Sequence, residues 1–289
     1  MGLCLLALPA WRMQGGVLAS TVAPTAIEPN LAGPASAWAE AAVKNEVGII
    51  EAEGSFSVRY REHKVDARGD TTRLVIQSKQ GGVARLIERN GKPISAEEDT
   101  AEKARLQAEI DNPDEFYRHH RRDGQQRHDA SQIVQMMPKA MLYSYAPGQP
   151  QRPEAKSTEV VVDFVPNPDF HPPSMIAEVL TGVQGRIWID PATQHVMRAE
   201  GHILRPINFG LGMVAKVYPG GSMALEQIPV GGGRWVYSEM EEHLTVRALM
   251  VKTIPQNLHV GSSEVELLPE LLSYQDAIRT LMAMPLPVR

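Results

Sequence analysis

Cysteine is nearly missing from this chain of 289 residues: Cys4 is the only one. Past that position, disulfides, thiolate catalysis and cysteine-based metal sites are excluded. Aromatic residues are scarce, at 6%. Positive charge is not in excess either, since the formal net charge is -5. That balance gives no global basic footprint for nucleic acid or for an anionic membrane surface. After the first residues, no apolar run approaches the ~20 residues of a membrane-crossing helix. The catalytic motifs G-x-S-x-G, H-E-x-x-H and C-x-x-C do not occur. Gly231-Gly-Gly233 is not a phosphate loop, because no Lys-Ser/Thr follows and the next segment reads as a strand. Gly210-Leu-Gly212 fails on the same ground.

What the chain has is turn chemistry and alternation. Gly185-Arg-Ile-Trp-Ile-Asp-Pro-Ala-Thr-Gln-His-Val-Met-Arg-Ala-Glu200 reads as strand, tight turn, strand. Pro191 presets φ for the turn, and Asp190 can accept from its own downstream backbone. Further reversals fall at Tyr218-Pro-Gly-Gly221 and Gly231-Gly-Gly233. Strands joined this closely are antiparallel, because a parallel crossover needs a dozen or more residues. The half from Gly185 to Gln256 is therefore a meander, which has to curve, sandwich or close.

Earlier, Phe56, Val58 and Tyr60 alternate with Ser55, Ser57 and Arg59. Thr72–Ser78 and Val83–Arg89 form a hairpin that ends at Asn90-Gly91. Val47-Gly-Ile-Ile50 reads as the start of the sheet, after a short Ala-rich helix at 35–44. The period then becomes helical over 93–140. Ser95-Ala-Glu-Glu98 is a capping box, and Pro113 can open a second helix. Prolines cluster at 147–153 and 166–173, where no ladder can continue. Leu267 to Met284 reads as an amphipathic helix.

The opening residues, Leu3-Cys-Leu-Leu-Ala-Leu-Pro-Ala-Trp11, run into small residues that end at Ala23-Pro-Thr-Ala26. That pattern predicts an export leader over 1–26, although no Lys or Arg precedes the apolar run. Domain organisation follows: a leader at 1–26, a curved-sheet domain at 27–262 with its helical insert, and a C-terminal helix and tail at 263–289.

Candidate chemistry is thin. His119, His120 and His128 lie among arginines that repel a cation, so this stretch reads as a solvated helix face. Asp169 and His171 sit in a proline clamp with no nucleophile beside them. Glu239 and Glu241 share one strand face while Met240, Glu242 and Leu244 share the other, so the carboxylates read as a wet outer face. No metal, no cofactor and no catalytic residue is expected.

Residues 185–204, together with the order helix, strands, helical insert and meander, resemble the LolA/LolB-like and RseB-like superfamily of periplasmic proteins. Val214–Gln227 and Gly232-Gly-Arg-Trp235 are similar to an uncharacterised exported bacterial branch of it. The resemblance implies an α+β fold: an incomplete, strongly curved antiparallel barrel whose concave apolar face takes acyl chains. The longer insert, the proline clamp and the C-terminal helix depart from that pattern.

On this reading the protein is a non-enzymatic, exported, periplasmic carrier of a lipid or acyl chain, or of a lipoprotein through its acyl chains. The expected cavity residues are Phe56, Val58, Leu74, Ile76, Met136, Met137, Trp188 and Trp235, with the insert as a lid. No nucleic acid partner is expected, and membrane contact is peripheral at most. The competing reading is an envelope interaction or sensor protein that uses the groove or the sheet edges. A hydrolase is disfavoured, because no nucleophile, base and orienter can be assembled. N-terminal sequencing of protein from its native host tests the leader. The mature chain should begin between about Ala19 and Ile27 by the small-residue exit rule, and an intact Met1 would refute export.

Overall fold

The computed structural model describes residues 31, 33–209, 214–248 and 252–287. The leader and Gly210-Leu-Gly212 lie outside the described residues. Helix α1 (Ala35–Ala52) comes first, followed by strands β1 (Val58–Asp66), β2 (Gly69–Ser78), β3 (Gly81–Arg89) and the two-residue β4 (Lys92–Pro93). The insert is α2 (Ala96–Asp111) and α3 (Pro113–Ala140). The chain returns as β5 (Met141–Tyr145), β6 (Val160–Pro166), a 3-10 turn at Ile176–Thr181, β7 (Val183–Ile189) and β8 (Val196–Ile203). Two short strands, β9 (Ile207–Phe209) and β10 (Ala215–Val217), precede the long β11 (Ser222–Gly231), β12 (Arg234–Ala248) and β13 (Lys252–Leu267). Helix α4 (Tyr274–Ala283) closes the order. No helix among the described residues is long and apolar enough to cross a membrane.

All thirteen strands form one open antiparallel sheet, ordered β4-β3-β2-β1-β13-β12-β11-β8-β7-β6-β5, with β9 and β10 continuing from β12. The chain meanders out to one edge at β4, crosses to the far edge at β5, and meanders back until β13 meets β1. Helix α3 is about 42 Å long at 1.5 Å per residue. An eleven-strand path is about 48 Å wide when flat. The insert is thus long enough to connect the two edges across a curved sheet.

The face carrying α1 is the inner one. Ala35, Ala39 and Ala42 of α1 pack with Val160, Val162, Ile187 and Ile189 in the larger core cluster. Small residues on α1 let its backbone approach the strands closely. The helix runs through Val47-Gly-Ile-Ile50 instead of stopping at Lys44, so the sheet starts later than the alternation suggests. A short apolar run is compatible with either period, and here Ile50 belongs to a buried helical stripe that began at Ala35.

The second cluster lies on the opposite, outer face. Leu74, Ile76, Val83 and Ile87 of β2 and β3 are covered by Leu106 of α2, Phe116 of α3, and Tyr274, Ile278 and Leu281 of α4. Phe116 stacks on Tyr274 with ring centroids 3.9 Å apart. Arg85 has no exposed surface and ties these layers together. Its Nη1 donates to the carbonyls of Leu281 at 2.6 Å and Met284 at 2.7 Å, and its Nη2 to Asp99 Oδ1 at 2.6 Å. One guanidinium thereby satisfies carbonyls at the end of α4 and binds α2 to β3.

The C-terminal helix is shorter than its apolar spacing implies. Strand β13 continues to Leu267, Pro269 intervenes, and Ser273 caps α4 by accepting from the Asp276 N–H. The capping box at Ser95 and Glu98 forms as the sequence predicts. The proline-rich loop after β5 is tied to β6 through side chains. Gln149 bonds both the N–H and C=O of Val161, at 2.9 Å each, and Gln151 does the same for Glu159. Glutamine amides replace ladder bonds beside prolines that have no N–H to donate.

Replacing Arg85 with Ala should cost ~3–5 kcal/mol, the usual range when one partner of a buried pair is removed. Trp188→Ala should cost a similar ~3–5 kcal/mol as a truncated buried aromatic. Chemical denaturation monitored by circular dichroism measures both. An unchanged midpoint for either variant would refute the corresponding packing role.

Candidate functional site

A cavity of about 560 Å³ lies on the inner face, between α1, α3 and the strands β1, β11, β12 and β13. Its apolar walls include Ile49, Phe56, Val58, Leu225, Trp235 and Met240. Its polar lining includes Glu53, Glu62, Asp123, Gln126 and Arg127. Register explains the shared face: Val58 pairs with Gln77, Tyr60 with Val75, and Leu225 with Met240, which pairs in turn with Val260. Trp235 is nearly buried and stacks on His195 of the β7–β8 turn, with centroids 4.3 Å apart. The Arg234 guanidinium lies 5.2 Å from the centroid of Phe56.

That turn is anchored on α1. Asn45 Nδ2 donates to the carbonyls of Thr193 at 3.1 Å and Gln194 at 3.0 Å. Asp190 accepts from the N–H groups of Ala192 and Thr193, and Gln194 takes φ 60°, which closes the reversal. Beside the cavity, Glu46 of α1 accepts from the Tyr237 hydroxyl and from Gln227 Nε2. Burial pushes the Glu46 carboxyl above its ordinary range, against the opposing pull of those two donors and of His195. The Tyr237 hydroxyl is pushed upward too, by burial first and then by the adjacent Glu46 charge. Arg127 of α3 pairs at 2.7 Å with Glu53, the residue that follows α1, joining the two helices at the cavity.

The expected cavity residues divide into three groups. Phe56, Val58 and Trp235 line this cavity. Met136 and Met137 dock the end of α3 against the core cluster of α1 instead. Leu74 and Ile76 lie on the opposite sheet face, under α4 and α2. The correction has a simple cause: Val58 pairs with Gln77, so the apolar parity of β2 is turned away from that of β1. Trp188 is also outside the cavity. It packs on Ala146 and Val161, and its Nε1 donates to the Pro150 carbonyl at 2.8 Å, while Ile187 and Ile189 face α1.

The polar middle of the insert is not wholly solvated either. His120 stacks on Phe116 at 4.0 Å and bonds the Gly82 carbonyl at 2.9 Å. Glu46, Gln227 and Tyr237 carry no motif. Gln227 is the nearest to a signal, a glutamine at a buried position of a strand.

The raised Glu46 carboxyl has a testable sign. Between its ordinary value of about 4.5 and its folded value, the folded chain binds more protons than the unfolded one. Stability then falls as pH rises through that window. Glu46→Gln should remove this slope, so its stability relative to wild type should increase as pH rises above 4.5. Below that value the gap should close. Parallel denaturation curves across pH measure the difference, and a gap independent of pH would refute the assignment.

No family model matches this chain, and no curated protein matches it. Among solved structures, it is similar to a crystal structure of a DUF1329 family protein from Desulfovibrio piger, at 11% identity and a TM-score of 0.31. That alignment covers 86% of this chain and 99% of the other.

Proposed function

We propose that this protein is an exported, non-enzymatic envelope protein that holds a lipid or acyl chain in the inner-face cavity, in the manner of a LolA/LolB-like carrier. The single observation that carries the proposal is the apolar wall of a cavity of about 560 Å³. Small-ligand sites span ~300–1,000 Å³ and are mostly apolar, with a few polar groups that orient the ligand. A chain lying along Val58, Leu225 and Met240 keeps its polar end near Arg127 and Gln126. The hairpin at 185–204, which resembles that of the periplasmic carriers, agrees with this reading. Helix α3 serves as the cover, docked near its end through Ile133, Met136 and Met137 and near its start through Phe116 and His120.

A second reading, an envelope interaction protein, has one observation of its own. Edge strand β5 exposes Leu142, which pairs with the exposed Val165 on β6. A partner strand added at that edge would lie beside Leu142.

An apolar fluorescent probe should bind the folded full chain, and a long-chain fatty acid should displace it. Leu225→Lys and Met240→Lys should weaken probe binding by at least about tenfold, since each puts a charge on the apolar wall. Circular dichroism should stay unchanged. A cross-link holding α3 to α1 should slow probe entry. Failure of the native protein to bind the probe, or binding indifferent to both lysines, would remove the carrier reading and leave the interaction reading.

A further inference from the structure

A second constellation lies on the outer face, where β1, β13 and β12 run side by side. Glu241 pairs in register with His259, and Glu239 with Gly261. Gly261 also pairs with His63 of β1. With no side chain at Gly261, the groups around it have room to converge. The ligand atoms of Glu239, Glu241 and His259 all lie within 4.8 Å of one another. His259 Nδ1 is 3.6 Å from Glu241 Oε1. The His63 and His259 rings meet edge to face, with centroids 6.0 Å apart. His63 stands outside that three-residue cluster, with its Nε2 2.9 Å from Asp70 Oδ1 and its Nδ1 without a partner among the described residues.

The charge pattern asks for a cation. Two carboxylates converge on one side of a sheet, where like charges repel. Neither Glu239 nor Glu241 has a Lys or Arg ion-pair partner among the described residues. The nearby Arg61 is engaged by Glu264 at 3.2 Å and Glu88 at 3.6 Å. We propose that Glu239, Glu241 and His259 bind a divalent transition-metal ion of the zinc class and that His63 turns onto it from β1 as the fourth ligand, which pins β1 to β13 and β12.

Two imidazoles favour zinc, nickel or copper over calcium and magnesium, which take all-oxygen shells. A carboxylate behind a ligating imidazole, as Asp70 stands behind His63, is the usual outer-shell partner that fixes ring orientation. The ion would bridge the seam at which the first strand of the sheet meets the last. Its place is structural, although Glu239 also borders the inner cavity.

The test uses the untagged full chain, stripped with a chelator, and Zn²⁺ alone as the probe. Isothermal titration should give one saturable site per chain, and Zn²⁺ should raise the thermal midpoint. His259→Ala, Glu241→Gln and His63→Ala should each weaken binding by at least about tenfold, since even outer-shell partners of a metal ligand are worth ~10–100-fold. Each should also lose the zinc-induced rise in midpoint, while the midpoint in chelator stays that of wild type. His171→Ala, in the proline loop, should bind as wild type does. Should an alanine variant fail to fold, Co²⁺ absorption of Glu241→Gln replaces it, and the visible band of the wild type should disappear. No saturable binding by the wild type, or binding by any one of the three ligand variants that equals wild type, overturns the proposal.

Discussion

The pairing of β1 with β13 is the constraint on which the rest depends. These strands are far apart in the sequence, yet Val58 lies opposite Leu267 and Lys64 opposite Val260. Without that ladder, β1–β4 would be a small twisted meander covered on its outer face alone. The return meander would end in an open edge at β13. Joining them makes one sheet and brings Val58 and Tyr60 to the same wall as Leu225 and Met240. Contacts between such distant segments carry a large loop-closure cost before they are rewarded. Much of that cost is offset by the helices that hold the two halves together.

Those helices act on different faces. On the outside, α2 and α4 cover β2 and β3, with the buried Arg85 bonded to both. On the inside, α1 lies on β5–β8 through alanines, and α3 runs beside it toward the far edge. The insert therefore belongs to both layers: Phe116 packs in the outer cluster and Met137 against the inner one. Between these anchored ends, α1 and α3 leave part of the inner face uncovered. The apolar cavity lies there, with Glu46 beside it as a half-buried carboxyl held by Tyr237 and Gln227.

Much of this architecture was legible from local pattern. The β7–β8 hairpin was readable because Asp190-Pro191 carries its own turn chemistry. The start of α2 was readable because a capping box needs only four residues in order. Readings failed where two periods were compatible or where a neighbour decided. Val47–Ile50 suits a strand as well as a helix until α1 is seen packed along its whole length. Leu267–Leu272 has helical spacing, but Leu267 is claimed by β1 through the ladder. Among the expected cavity residues, parity relates Phe56 to Val58 and Leu74 to Ile76 but cannot say that the two pairs face opposite ways, and it parts Trp188 from Ile187 and Ile189 without saying which side is inner.

The sequence by itself determined an antiparallel meander interrupted by a helical insert, because turns, caps and alternation act over a few residues. It also determined which side chains of any one strand share a face. Tertiary structure alone decided how the faces of different strands combine, because a one-residue change of register turns every side chain over. Register joined Val58 to Gln77 and so parted the two apolar stripes, one into the cavity and one beneath α4. Register also set Glu241 beside His259, and Gly261 between Glu239 and His63. Neither neighbourhood exists within a window of local sequence, because each is made by strands that meet only when the chain has folded.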